Sequence, residues 1–588
     1  MIPAPSLLAL AVLWSALPLQ DRPIETLFPA SSYGVVQFSG LAGCKDAVRK
    51  LGVTRLGEAA LARLGDGFLE RSLGRESREA VAEFQRGLEQ LGIDPRQLRR
   101  LLGRPMAFGF GRLTLMGNAL VPASALLIDV DGAREEAERI ARAFRSLDLP
   151  APLRIRWREE RIQGHAFRVL RSERAPGAIV MGFVDRYFLL SNSTRYVRDC
   201  LQTKNGEQPS LGRSAAFQSA RRRLPGRPLA SCYLNLEPFF GWTGPLLPYE
   251  ADDISEALGI HELHGLYLAT AASGRNSTDL AHLSLEGSAE GLFRSMLGRS
   301  VSLRAARYCP PDTMLFASVA ADGSALLGAV EKLHDALPME ARRELARGLR
   351  HELGHLDLSP ERLRQLLKLV GPELSLSLTQ PGGRSGFPEL MAFLELGDEQ
   401  GAKGLLEGCL ARSGTKHATT RFKGSELHYV SLRDQGLPFT PAFTFKDGML
   451  LASSQLLILK NNLSRAAKQA DSLAQDPRFR AAARSIQGAS VFLNVRLESG
   501  VAASWNLVLP LLEGLLRQSG VQGLQKNVLP TKEEMQDAIE DLLITFGVDA
   551  HGATLQASQP LGIGVLLAVA GTTLDWVLGR VGTKRRIL

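Results

Sequence analysis

Two segments decide the fold of this chain: residues 184–193, VDRYFLLSNS, and residues 445–454, FKDGMLLASS. In each segment a polar turn that carries an aspartate leads into a short apolar run ending in serines. The sequence Lys446-Asp447-Gly448 is typical of the tight turn of a β-hairpin. Each segment is therefore predicted to be a hairpin strand that leads into a helix, and their similarity indicates that one unit occurs twice.

Five further pairs of segments follow the same order along the chain, each with the same pattern of strand and helix. These pairs are residues 28–38 with 309–319, 86–103 with 347–371, 105–111 with 372–378, 125–140 with 391–406, and 230–237 with 489–496. Chance similarity would not preserve the order of so many segments. We therefore expect an internal duplication.

The predicted fold class is α+β: two tandem homologous units, each a mostly antiparallel sheet covered by helices. The first unit is predicted to span residues 28–290 and the second residues 308–558. Strands in each unit follow one another through hairpins or short helices, which favours antiparallel or mixed pairing. Two such units could pack as a pseudo-symmetric pair with a cleft between them, and clefts between domains are common ligand sites.

Helix signals support this alignment. Asp94-Pro95 and Ser359-Pro360 each combine an N-cap residue with proline at the first helical position. Phe217 and Phe479 are predicted to lie in matching helices.

Three structural motifs resemble those of a known family. Pro310-Pro311-Asp312-Thr313 begins a predicted strand, residues 369–373 read LVGPE after a helix, and residues 445–454 form the hairpin piece. With these motifs the chain resembles a family of exported bacterial proteins described only as a domain of unknown function. The resemblance covers roughly residues 28–558, although residues 30–32 read ASS where the first half would need Pro-Asp-Thr. It implies a secreted or membrane-tethered protein and no catalytic residues.

Both ends of the chain carry apolar segments. Residues 6–17, SLLALAVLWSAL, have the length of a signal-peptide core, so residues 1–20 are predicted to be a signal peptide for export to the periplasm or exterior. The alternative is a buried N-terminal helix or an uncleaved anchor. Residues 561–579 are mostly apolar and carry no charge except that of Asp575, and basic residues follow within the segment 560–588. That pattern predicts an apolar C-terminal helix outside both units, either as a membrane anchor with a cytoplasmic basic tail or as a buried or amphipathic terminal helix.

Composition excludes several classes of function. The net charge of +9 is small for 588 residues, and short basic runs such as Arg221-Arg222-Arg223 lack interleaved aromatic residues, so no nucleic-acid partner is expected. The five cysteines form no CxxC pair, which leaves zinc ribbons and thioredoxin-like sites without support. We expect buried free thiols, with Cys200 and Cys232 as the only pair worth checking for a bond.

One motif could carry catalysis: HELGH, residues 351–355. In zinc peptidases this spacing places His351 and His355 on one helical face with Glu352 as general base. Glu373 has a plausible spacing for a third ligand, but it lies at the start of a predicted strand. Gly354 is predicted to end the helix, which would separate the histidines. We therefore predict no metal, cofactor or catalytic residue here.

The remaining chemical signals are weak. The chain has no G-x-S-x-G elbow and no P-loop, and the cluster of Asp129, Asp131 and Gly132 is interpreted as a helix-capping turn in preference to a calcium site.

The leading prediction is a non-enzymatic cell-envelope protein: a binding, scaffold or interaction module of unknown partner. The alternatives are a zinc peptidase at His351, Glu352 and His355, and a carrier of hydrophobic ligands in the cleft between the units.

Overall fold

The computed structural model describes residues 23–56, 75–116, 119–145, 155–172, 178–238, 263–285, 299–320, 322–344, 347–348, 360–380, 389–413, 417–432, 439–468, 471–484, 488–498, 531–560 and 562–583. The predicted signal peptide and the HELGH motif lie outside these ranges.

Within the described residues, twenty strands belong to one sheet. The strands of the first half of the chain are β1 (Gly34–Phe38), β2 (Met106–Met116), β3 (Ala119–Asp129), β4 (Ile155–Ile162), β5 (His165–Ser172), β6 (Ala178–Val184), β7 (Tyr187–Ser191), β8 (Ala230–Asn235), β9 (Leu263–Ser273) and β10 (Asn276–Leu285). Those of the second half are β11 (Thr313–Ala320), β12 (Val370–Thr379), β13 (Glu389–Leu396), β14 (Ala418–Phe422), β15 (Ser425–Tyr429), β16 (Ala442–Lys446), β17 (Met449–Ser453), β18 (Ala489–Val495), β19 (Leu542–Asp549) and β20 (Gly552–Gln559).

The two halves meet edge to edge. Strand β10 pairs with β20 over residues 277–284 and 552–559, and every pairing between the named strands is antiparallel. Outward from this junction the order is β10-β9-β8-β1-β2-β3-β7-β6-β5-β4 on one side and β20-β19-β18-β11-β12-β13-β17-β16-β15-β14 on the other. The prediction of a mixed fold with a large antiparallel sheet is confirmed, and the sheet continues through the junction where we expected a cleft.

The described helices connect these strands. They are α1 (Gly40–Val48), α2 (Arg75–Gln90), α3 (Pro95–Leu102), α4 (Arg134–Arg145), α5 (Thr194–Asn205), α6 (Ala215–Arg222), α7 (Gly323–Ala336), α8 (Pro360–Leu369), α9 (Glu399–Ser413), α10 (Leu456–Lys468), α11 (Pro477–Arg484), α12 (Lys532–Ala538) and α13 (Ile563–Thr583). Helix α3 begins as the sequence predicts, because the Asp94 side chain accepts a hydrogen bond from the Arg96 backbone and proline follows it.

One face of the sheet, called the first face here, holds the two large cores. In the first half α5 and α6 pack on it around Phe217, whose ring meets Tyr233 of β8 edge-on at 5.3 Å. In the second half α10 and α11 pack on it around Phe479, whose ring meets Phe492 of β18 edge-on at 5.5 Å. Aromatic residues of one helix and one strand thus centre each core.

The opposite, second face is covered only in part by described residues. In the first half a separate cluster packs α3 and α4 against Ile128, Met181 and Phe188 near the ends of their strands.

The C-terminal helix corrects our expectation that it would lie outside both units. Helix α13 packs against α1, α3, β9 and β10, where Val565, Ala568 and Leu578 are buried. Asp575 forms an ion pair with Arg99 of α3 at 2.5 Å. Helix α13 is apolar on more than one side, and one of these sides packs against α1. Among the described residues, no helix is both long and apolar enough to cross a bilayer.

Candidate functional site

An unbroken row of apolar side chains crosses the second face. Each member lies directly opposite the next on a neighbouring strand, and opposed residues of antiparallel strands point to the same face. We call this row the apolar stripe; its members are Leu190, Leu126, Phe108, Val36, Cys232, Leu268, Ala281, Leu555, Phe546, Val491, Val319, Leu374, Leu394, Leu450 and Phe445. It takes one residue from each strand between β7 and β16 and contains no charge.

Five members of the stripe are exposed, and the other ten are partly buried. Val36 is 40% exposed, Phe108 43%, Leu268 42% and Leu555 44%. Neighbouring strands already shield the sides of such residues, so these fractions describe a sheet face with little packed upon it. Contiguous exposed apolar surface of this extent is typical of an interaction site or a ligand-binding surface.

Strand β12 has the reverse of the usual alternation. Its sequence, VGPELSLSLT, buries Glu373, Ser375 and Ser377 on the first face and leaves Leu374 and Leu376 exposed on the second. A sheet with one wet face normally turns its apolar residues inward and its polar residues outward. The alternation is visible in the sequence, but the stripe was not predicted because the sequence does not show which face of the strand is covered.

Helix α13 extends the apolar surface on the same side of the sheet. Its first backbone N–H, that of Ile563, donates to the Asp279 carboxylate at 3.0 Å, and Asp279 lies opposite Thr270 on the second face. The outward side of α13 exposes Ile563, Leu566 and Val569. This helix therefore adds aliphatic surface close to the stripe.

Glu373 is bound by hydrogen-bond donors in a way that leaves little room for a metal. Its Oε2 accepts from the Ser302 backbone at 2.5 Å, the Ser302 hydroxyl at 2.6 Å and the Leu303 backbone at 3.1 Å. Its Oε1 accepts from the hydroxyls of Ser318 at 2.6 Å and Ser375 at 3.0 Å. The suggested third zinc ligand thus has a structural role in the core. The described residues contain no group of three or more potential metal ligands.

The Asp129 cluster is likewise structural. The Asp129 carboxylate forms an ion pair with Arg186, lies 3.7 Å from Arg104 and accepts the Asp131 backbone N–H at 3.1 Å. Burial raises the pKa of Asp129, but the hydrogen bonds from Arg186 and the Asp131 backbone and the charges of Arg186 and Arg104 together outweigh burial, so the pKa lies below its usual range. Two arginines beside this carboxylate oppose a calcium ion, which favours the interpretation as a structural turn.

Cys44, Cys200, Cys232 and Cys309 are free thiols. Cys200 lies in the core of the first face, whereas Cys232 belongs to the stripe on the second face. The sheet separates the two sulfur atoms, so this pair forms no disulfide. Burial raises the pKa of the Cys44 thiol to about 11, which makes it a poor nucleophile.

The junction between the halves is polar on its first face. His282 of β10 is fully buried, and its Nδ1 lies 2.9 Å from the hydroxyl of Thr554 on β20. Burial, with Arg223 nearby, lowers the pKa of His282 to about 4. Arg223 itself joins the halves through an ion pair with Asp549 at 2.7 Å. This histidine is therefore neutral near pH 7.

Comparisons of the chain with protein-family models, with curated proteins and with solved structures found no match. The case for a function accordingly depends on the geometry of the chain.

Proposed function

We propose that this protein is a non-enzymatic binding module that holds long apolar chains of lipids against the apolar stripe. The observation that carries the proposal is the charge-free row across the sheet, in which Val36, Phe108, Leu268 and Leu555 are each about 40% exposed. With strands ~4.8 Å apart, the row is on the order of 65 Å long. Its length exceeds that of one acyl chain, so several chains could lie across it.

The chemistry of the stripe favours acyl chains over a protein partner. Protein interfaces usually carry a hydrogen bond per ~100–200 Å² and a polar rim. Here the side chains offer neither donor nor acceptor apart from the weak Cys232 thiol, and the strand backbones are paired within the sheet. A ligand without hydrogen-bonding needs fits such a surface. The net charge of +9 favours lipids with anionic headgroups.

We propose that the protein acts in the cell envelope. A signal peptide at residues 1–20 and the resemblance to an exported family support a place in the cell envelope, where lipids are abundant. The apolar side of α13 supports contact with a membrane surface, with the basic residues after it near anionic headgroups.

We also propose that the chain arose by internal duplication. The support is the equal order of strands on both sides of the β10–β20 junction. The edge-on contacts of Phe217 with Tyr233 and of Phe479 with Phe492 occupy corresponding places in the two orders. Two copies would make the stripe twice as long as one copy could.

Titration of a fluorescent fatty acid into the purified full-length protein tests the binding proposal. The double variant Leu268→Gln, Leu555→Gln places two polar groups in the centre of the stripe. Covering the exposed part of one leucine contributes about 1 kcal/mol, so both changes together should weaken binding about 30-fold. The matched control is Leu457→Gln on α10, where the leucine is also exposed but lies away from the stripe.

Saturable binding by the wild type and the control, with weak binding by the double variant, would support the proposal. Equal binding by all three proteins, or no binding by the wild type, would refute it. The midpoint of urea unfolding should be similar in all three, because the substituted side chains are exposed.

A further inference from the structure

A cavity of about 470 Å³ lies in the second half, away from the stripe. It is enclosed by the short 3-10 helix Arg304–Arg307, the turns that end β14 and β16, the end of α10 and the short helix Leu473–Gln475. Ligand cavities in proteins commonly measure ~300–1,000 Å³. The cavity is therefore large enough for a small organic molecule.

Positive charge dominates the lining. Arg307, Lys423 and Lys446 face one carboxylate, that of Asp447. Asp447 is already engaged, because it accepts hydrogen bonds from Arg307 at 2.6 Å and from the Tyr308 hydroxyl at 2.7 Å. Among the described residues, neither lysine has an acidic partner within ion-pair distance. An anion would supply the missing negative charge.

Two hydroxyl groups complete the set of donors. Ser425 is 6% exposed and Ser472 is 4% exposed, and both line the cavity. Beside them, the buried Nε of Arg307 has no hydrogen-bond partner within the described part of the chain. Buried polar groups are normally hydrogen-bonded, so Arg307 Nε needs an acceptor that a bound group or water in the cavity can supply.

We propose that this cavity binds a small phosphate monoester. The terminal oxygens of a phosphate can accept hydrogen bonds from two lysines and two serines at once, whereas a carboxylate has only two oxygens. Asp447 holds Arg307 in place at the rim, and its backbone lies in the left-handed region with φ of 55°, as the β16–β17 turn requires. The volume beyond the phosphate holds the organic part.

Calorimetric titration of the full-length protein with glycerol 3-phosphate and with inorganic phosphate tests this site. The double variant Lys423→Gln, Lys446→Gln removes both unpaired cations and should weaken binding by about tenfold for each lysine. The matched control is Lys532→Gln at the start of α12, an exposed lysine outside the cavity. Both lysines of the double variant reach solvent or the cavity, so its unfolding midpoint should match the wild type.

Tighter binding of glycerol 3-phosphate than of inorganic phosphate, lost in the double variant and kept in the control, supports the proposal. Equal affinity for the two ligands would overturn the assignment to an organic ester and leave an inorganic phosphate site. Absence of saturable binding, or binding that the double variant retains, would overturn the site itself. These outcomes are independent of the fatty-acid titration, since the two experiments change different residues.

Discussion

Replacement of Glu373 separates the structural role of this carboxylate from the role of a zinc ligand. Glu373→Ala removes both oxygens, so the donors of Ser302 and Leu303 lose their carboxylate acceptor, and the hydroxyls of Ser318 and Ser375, 3.0 Å apart, are left with each other as partners. Glu373→Gln keeps the size of the side chain and one carbonyl oxygen. The hydroxyls of Ser318 and Ser375 can rotate and accept from the new amide, so the glutamine variant should retain most of the network.

The expected magnitudes follow from the number of donors. Each buried donor left unpaired costs ~1–3 kcal/mol, but hydroxyls can turn toward other partners and a buried charge is removed at the same time. We therefore expect Glu373→Ala to lower the free energy of unfolding by about 4 kcal/mol. Glu373→Gln loses only the charge-assisted part of the hydrogen bonds, so its cost should be about 1–2 kcal/mol.

The assay is urea unfolding of the wild type and both variants, each with and without a chelator of divalent metals. A structural carboxylate predicts the order wild type, Glu373→Gln, Glu373→Ala, with no effect of the chelator on any of them. A control substitution, Glu426→Ala on β15, changes an exposed glutamate and should cost less than about 0.5 kcal/mol. The reasoning would be refuted if the wild type bound zinc and lost stability when the chelator was added, and if Glu373→Gln showed the same loss of stability in the absence of the chelator. That result would favour the peptidase.

Three further predictions concern the junction and the C-terminal helix. The pKa of His282 is near 6.5 in the unfolded chain and about 4 in the folded chain. As the pH falls from 6.5 to 4, the free energy of unfolding of the wild type should therefore decrease by up to about 3 kcal/mol, and His282→Asn should not show this decrease. Gly552→Ala should lower the free energy of unfolding by more than about 3 kcal/mol, because a Cβ at this position would overlap a carbonyl oxygen of β10. The control is Gly206→Ala, where φ is also positive but the space is free, and it should cost only about 1 kcal/mol in the same unfolding assay. Removal of residues 561–588 should lower stability by about 4 kcal/mol, since buried side chains of α13 are lost; an unchanged unfolding midpoint would contradict this packing.

Local signals in the sequence determined many of the elements. The hairpin at residues 445–454 follows from Asp447 and Gly448, both of which adopt positive φ in the turn between β16 and β17. The start of α3 follows from Asp94 and the proline after it. Such features depend on a few neighbouring residues and on the steric limits of the backbone, so they can be predicted without knowledge of the fold.

The partnership of the strands could not be predicted in the same way. Strands β10 and β20 lie far apart in the sequence, and their pairing converts two halves into one sheet. Nothing in either strand alone specifies the other as its partner, because backbone hydrogen bonds are the same for all residues. Only the folded chain decides that the halves meet edge to edge in place of forming a cleft.

The apolar stripe shows the same division between sequence and structure. The alternation ELSLSL in β12 by itself determines that serines share one face of the strand and leucines the other, since the side-chain period of a strand is two. The tertiary structure decides which face is covered: α10 and α11 pack on the first face of the second half, so Leu374 and Leu376 stay exposed. For the same reason the sequence determines that residues 563–583 are an apolar helix, whereas only packing against α1 and α3 decides which of its sides the protein buries.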